Sequence, residues 1–207
     1  DLEKDLKLLD PTGCQLVFAP QPNEIYPEQD TRKFDFGELE TVMEGKHRPG
    51  HFNGVAQVVS KLFEIVKPDS AYFGRKDFQQ LAVIKKIVKQ LKLPVEIIPC
   101  PIIREEGGLA MSSRNQLLSP EERKNAALIY KTLKEAQKLS GKKSVQALTE
   151  WVTETINKNP LLDVEYFEVV DEENLQPVKS WDETGKKAGC IAAYCGKIRL
   201  IDNIILN

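Results

Sequence analysis

Short apolar runs alternate with stretches in which apolar residues recur every three or four positions along the first half of this chain. Leu2, Leu6 and Leu9 share one helix face, and residues 14–19 then read as a strand. A polar connection follows, holding Pro20, Pro22 and Pro27. The pattern predicts a helix over 36–44 stopped by Gly45. A longer helix comes next, with Val55, Val58, Val59, Leu62, Phe63 and Val66 on its inner side and Pro68 ending it. A strand over 70–73, a strongly periodic helix over 78–91 and a strand over 95–103 continue the alternation, which is that of a parallel α/β sheet.

Beyond Arg104 the pattern changes. Glu105-Glu106-Gly107-Gly108 reads as a turn and residues 109–115 as a loop. Ser119-Pro120-Glu121-Glu122 offers an N-cap serine, a proline at the first helical position and a glutamate placed for a capping box, so a helix should run to about Leu139. Ser144 opens another that ends before Pro160. Strands are expected over 164–170, 190–195 and 198–206, the last two joined through Gly196-Lys197 as a hairpin. The fold class expected is therefore α/β: a Rossmann-like parallel-sheet domain over 1–102, then a small α+β domain with an antiparallel sheet over 103–207. Because Asp1 falls within a helical pattern that feeds a strand, the sheet domain is expected to be incomplete at its N-terminus.

Composition narrows the function classes. The 207 residues carry 29 basic and 31 acidic side chains, a net charge of −2 that gives no reason to expect nucleic acid or an anionic membrane. No apolar run approaches the ~20 residues of a membrane span, and a cytoplasmic location is expected. The four cysteines form no CxxC pair and are expected to be buried, reduced thiols. His47 and His51 are the only histidines, so no metal site is assigned.

Three segments can carry chemistry. Gly74-Arg75-Lys76-Asp77-Phe78-Gln79-Gln80 joins a strand to a helix, where a cation can meet phosphate and a carboxylate can meet ribose hydroxyls. Asp77 can equally be a helix cap, and spacing alone leaves both readings open. Gln80 lies one turn beyond Asp77 on the same helix face. In Met111-Ser112-Ser113-Arg114-Asn115 two hydroxyls and a guanidinium can wrap a polyphosphate, although the same residues suit a plain surface turn. Lys46-His47-Arg48-Pro49-Gly50-His51 sets three cationic side chains ahead of a helix N-terminus.

Together these segments resemble a known family. Arg48-Pro49-Gly50-His51-Phe52, the stretch from Phe73 to Gln80, and the stretch from Gly108 to Asn115 are similar, in order, to three signatures of the pantothenate synthetase (pantoate–β-alanine ligase) family. Val17-Phe18-Ala19-Pro20, Glu24-Ile25-Tyr26-Pro27 and Arg199-Leu200-Ile201-Asp202-Asn203 extend the likeness over essentially the whole chain. The resemblance implies an AMP-forming ligase. ATP and pantoate would give pantoyl adenylate and pyrophosphate, and the amine of β-alanine would then take the acyl group, with Mg²⁺ assisting and a homodimer as the assembly. It further implies Lys76 on phosphate, Asp77 on ribose, and Gln80 holding pantoate between Phe73 and Val59. Ser112, Ser113 and Arg114 would close on the triphosphate, and Gly74, Ile103 and Met111 would contact the nucleoside. Arg48 and Glu44 would stand beside the active site, toward β-alanine.

Two departures qualify the likeness. Arg75 stands where family members usually carry glutamate. The family's HxGH element is not found in the chain, so a strand–helix–strand unit ahead of Asp1 is expected, and activity of this chain alone is in question. The competing readings are a related nucleotidyltransferase acting on another acid, and a non-catalytic nucleotide-binding or dimerisation fragment.

Overall fold

An apolar run becomes a strand only where a neighbour takes up its N–H and C=O groups. In the computed structural model, which describes residues 2–206, five stretches find such a neighbour. Asp1 and Asn207, the outer ends of the two expected domains, lie outside the described residues. β1 (Ser70–Gly74) and β2 (Glu96–Cys100) pair in parallel, with Ser70 opposite Glu96 and Gly74 opposite Cys100. β3 (Leu162–Asp171), β4 (Lys187–Cys195) and β5 (Ile198–Leu206) form an antiparallel sheet with β4 in the middle. Gly196, at φ 55°, supplies the left-handed turn of the β4–β5 hairpin.

Residues 14–19 are a correction. They form no strand: Leu16 is 85% exposed and Phe18 51%. They belong to an N-terminal unit ending at Lys33. It holds α1 (Leu2–Leu9), a 3₁₀ turn, and α2 (Pro22–Ile25), which is opened by a Gln21/Glu24 capping box.

The second unit, from Phe34 onward, carries everything else. The helix expected over 36–44 divides into a 3₁₀ segment (Gly37–Glu40) and α3 (Met43–His47). α4 (His51–Val66) is as long as its periodicity predicts, but a different face is turned inward. Phe52, Ala56, Ser60 and Phe63 are buried, whereas Val58, Leu62 and Val66 are exposed. α5 (Phe78–Leu91), α6 (Pro120–Leu139) and α7 (Val145–Asn157) match their sequence signals closely. The Ser119/Glu122 capping box closes in both directions: Ser119 N–H donates to Glu122 Oε2 at 2.8 Å and Glu122 N–H to Ser119 Oγ at 3.2 Å.

Strand β4 joins the two apolar clusters because its side chains alternate between them. Ile191, Ala193 and Cys195 pack with Leu133 of α6 and with Leu148, Val152 and Ile156 of α7. Ala188 and Cys190 face the opposite way, toward Phe36, Phe52, Val83 and Ile87. Each such side chain, once buried, contributes about 1.5–3 kcal/mol if it is as large as Leu, Ile or Phe. Cys190 and Cys195 are buried as expected, Cys100 is half-buried, and Cys14 is exposed.

Candidate functional site

Between α3–α4, the start of α5 and the middle of β4 and β5 lies a cleft of about 330 Å³. Its lining includes Glu44, Arg48, His51, Lys76, Asp77, Gln80, Ser112, Ser113, Arg114, Tyr166 and Asn203. Three segments far apart in sequence thus converge on one space.

The junction after β1 is held from both sides. Arg75 N–H donates to Cys100 O at 2.9 Å. Asn203 Nδ2 donates to the carbonyls of Arg75 and Lys76, at 2.8 and 3.0 Å. The Arg75 side chain leaves the cleft and pairs with Glu172 at 2.6 Å, so the unusual residue adds no charge to its lining. Asp77 occupies the N-cap position of α5 but makes no capping hydrogen bond. Its carboxylate remains available on the cleft side, which the sequence had left undecided. The two glutamines separate in role. Gln79 is 3% exposed and donates to Leu39 O and Val42 O at 2.5 and 2.9 Å, whereas Gln80 stays half-buried in the lining.

Gln79 thereby pins a tight segment. Met43, next in chain after Val42, is 1% exposed yet sits at φ 43°, a left-handed conformation that costs an L-residue roughly 1–2 kcal/mol. Gly45 is required by close approach, since a Cβ there would lie 2.6 Å from Glu40 O. This turn aims Glu44 into a charged cluster. Arg199 donates to Glu44 through Nη1 and Nη2, at 3.0 and 2.6 Å, and to Glu165 through Nε and Nη2, at 3.0 and 2.6 Å. Tyr166 Oη donates to Glu44 at 2.8 Å, and Arg48 reaches it at 3.5 Å. Burial pushes the Glu44 carboxyl up, but the bonds from Arg199 and Tyr166 outweigh it and hold the group below its ordinary range. Glu44 is thus committed to holding cations. Arg48 Nη1 also lies 3.0 Å from His51 Nε2, and burial followed by the Arg48 charge pushes that imidazole down, keeping it neutral near pH 7.

The third segment is braced at its base. Arg104 donates to Asp202 at 2.6 and 2.9 Å and to Gly108 O at 3.1 Å, and its guanidinium lies 3.6 Å from the Tyr130 ring centroid. Asn115 donates to Glu105 and Ala110 O, and Arg123 grips Glu105 with two bonds of 2.7 Å. Ser113 and Arg114 at the tip are exposed.

Of the expected site residues, Glu44, Arg48, Lys76, Asp77, Gln80, Ser112, Ser113 and Arg114 meet in the cleft, and five do not line it. Gly74 ends β1 just before the junction. Ile103 and Met111 are exposed at 65% and 55% and joined by a 2.9 Å Met111 N–H to Ile103 O bond. Phe73 packs edge-on against Phe63, and Val59 lies half-buried in α4. Sequence reasoning missed Gln79, Tyr166 and Arg199 as site-forming residues, and gave Asp202 and Asn203 no task. Arg199 and Glu44 are 155 positions apart, a pairing that no local spacing encodes.

Three cations, two hydroxyls and one uncapped carboxylate suit a chain of phosphates attached to a sugar. The Cys190 thiol in the wall is pushed up by burial and stays neutral, a poor nucleophile. The arrangement is suited to binding and neutralising charge rather than to covalent attack.

Residues 1–205 match the family model described as pantoate-beta-alanine ligase. The pantothenate synthetase of Porphyromonas gingivalis is 57% identical over 202 residues, which are 98% of this chain and 72% of that protein. That of Bacteroides fragilis is 53% identical over 203 residues, again 98% and 72%. Among solved structures, pantothenate synthetase from Thermus thermophilus superposes with a TM-score of 0.92 at 43% identity, covering 99% of this chain and 74% of that one. A Francisella tularensis pantoate-beta-alanine ligase, complexed with beta-gamma ATP and beta-alanine, superposes with a TM-score of 0.79 at 32% identity over 99% and 70% of the two chains.

Proposed function

The chain belongs to the pantoate–β-alanine ligase family of enzymes, and from that membership we propose that its cleft activates pantoate with ATP and passes the acyl group to β-alanine. In the first step a pantoate carboxylate oxygen bonds to the α-phosphorus while the bond to the β-phosphate oxygen breaks, releasing pyrophosphate. In the second, the β-alanine nitrogen bonds to the acyl carbon and AMP departs. Neither step requires a nucleophile from the protein. What the chain supplies is position and charge neutralisation.

The observation that carries this reading is the convergence of Arg48, Lys76, Asp77, Gln80 and Ser112–Arg114 on one cleft. Lys76 and Arg114 neutralise phosphate oxygens, with Ser112 and Ser113 donating to them. Asp77, free of a cap bond, accepts from ribose hydroxyls. Gln80 holds pantoate, and the exposed apolar pair Ile103 and Met111 forms a wall for the base beside Gly74. Arg48, anchored by Glu44, faces a substrate carboxylate. Phe73 and Val59 back the pantoate side from behind the lining. Residues 1–102 then hold nucleotide and pantoate, while 103–207 cover them. Among the described residues no cluster of three acidic, histidine or cysteine side chains is placed for a metal. Mg²⁺ would be carried on the ATP phosphates, where it would supply further charge neutralisation, with no side chain of the lining assigned to it. A cytoplasmic homodimer is the expected state of the protein, and light scattering measures its mass.

Pantoate-dependent release of pyrophosphate from ATP tests the reading. Lys76→Ala should lower its kcat at least about 100-fold, as loss of one preorganised charge-stabilising donor does. A rate within a few-fold of the unchanged protein would sink it, as would release driven by other acids but not by pantoate.

A further inference from the structure

Asn203 sits near the C-terminal end of β5, 5% exposed, with its amide nitrogen shared between two successive carbonyls, those of Arg75 and Lys76. A side chain that grips two consecutive peptide planes fixes both. In a trans peptide the N–H points opposite to the C=O of the same plane. With the Arg75 and Lys76 carbonyls turned toward Asn203, the N–H groups of Lys76 and Asp77 are turned away from it. Among the described residues the Lys76 N–H makes no hydrogen bond, and the Asp77 N–H turns back toward Gly74 O across the Arg75-Lys76 turn without closing a well-formed bond. They are adjacent donors at the positive end of α5, in two residues that line the cleft. Asp202, the preceding residue, holds Arg104 and through it the Gly108 carbonyl at the base of the loop that carries Ser112–Arg114. Consecutive residues of one strand therefore hold the two anion-facing segments.

We propose that Asn203 is a positioning residue for the ATP-dependent step. By gripping the Arg75 and Lys76 carbonyls it presents the Lys76 and Asp77 N–H groups as a fixed pair of donors to phosphate oxygen, while Asp202 sets their distance from the Ser112–Arg114 loop. The inference rests on the reading of the cleft as the site of ATP activation. It adds a role for residues that contribute no charge to the nucleotide.

Two measurements on the protein as encoded test it. Asn203→Ala removes the grip, and Asn203→Asp keeps the volume while setting a carboxylate against two carbonyls. Each should lower kcat/KM for ATP about 10- to 100-fold, the usual cost of losing a residue that orients a binding group. The KM for β-alanine should hold, and so should the yield of pantothenate from pantoyl adenylate supplied directly. A merely structural role would lower the melting temperature and scale kcat for both steps alike with the folded fraction, the step from supplied pantoyl adenylate included, leaving every KM unchanged. Values of kcat/KM for ATP within twofold of the parent in folded variants overturn the proposal. The second measurement needs no variant. On titration with pyrophosphate, the Lys76 and Asp77 amide protons should move downfield more than any other backbone amides of α5. If they stay in place while the Lys76 side chain responds, the grip has no part in phosphate binding. If Lys76→Ala leaves pyrophosphate release intact, the reading of the cleft itself fails, whatever Asn203 does.

Discussion

Replacing Arg199 with methionine should destabilise the protein severely, and the loss should depend on pH in a way that identifies its cause. Arg199 makes four hydrogen bonds to two carboxylates. Its side chain is 16% exposed, and those of Glu44 and Glu165 are 12% and 21% exposed. Removing one partner of a buried ion pair costs about 3–5 kcal/mol, because the charge left behind stays out of water. With a urea m-value near 3 kcal/mol/M, a 4 kcal/mol loss lowers the midpoint by about 1.3 M. The pH dependence follows from Glu44. Its folded pKa is held low, so its contribution is present above the unfolded value and lost as pH falls through the folded one. In Arg199→Met the upward push of burial prevails and the folded pKa rises above the unfolded value. The stranded carboxyl can then protonate, and its penalty fades as pH falls toward 4.5. Urea titrations at pH 7.5 and 4.5 should therefore show the difference between parent and variant shrinking on acidification. A loss under about 1 kcal/mol at pH 7.5 would place this network among surface ion pairs. A loss equally large at both pH values would mean that packing, not stranded charge, is responsible.

Gly45→Ala should lower the melting temperature by several degrees, since its Cβ meets the Glu40 backbone at 2.6–2.8 Å and overpacking costs about 1–3 kcal/mol; an unchanged melt would show that the α3 turn can open. Asn115→Ala removes two donations from a side chain on a residue 1% exposed, a loss of about 1–3 kcal/mol. Trypsin should then cut after Arg114 faster than in the parent, and equal rates would refute the bracing. The His51 ring protons should titrate by NMR with a midpoint below 6.5, because burial and Arg48 disfavour its charge. A midpoint at or above 6.5 would mean that the Arg48 contact does not persist in solution.

Local signals were legible wherever the physics is local. Ser119-Pro120-Glu121-Glu122 contains a complete helix start, and α6 begins there with both capping bonds made. The β4–β5 hairpin turns at the glycine that its two apolar runs flank. Residues 14–19 show the opposite case: an apolar run records a capacity for pairing, and no partner strand meets it among the described residues. In α4 the sequence offered two apolar faces, and periodicity cannot say which one a neighbour will cover. Lys76, Asp77, Gln80 and Ser112–Arg114 were visible as motifs because each works close to its own backbone. Arg199, Tyr166 and Gln79 were not. Each acts on a residue at least 37 positions away, brought near only by folding.

Met43 bears on how freely this site can change. The backbone there favours glycine, and the core favours a large side chain. Met43→Gly would relieve roughly 1–2 kcal/mol of conformational strain but empty a filled volume, at a cost of about 2–5 kcal/mol. A β-branched residue would fill the space and worsen the strain. Neither single change is therefore a gain, and a better solution requires two coordinated changes, glycine at 43 and a larger neighbour. A mutational search taken one step at a time should find the turn that carries Glu44 almost immovable.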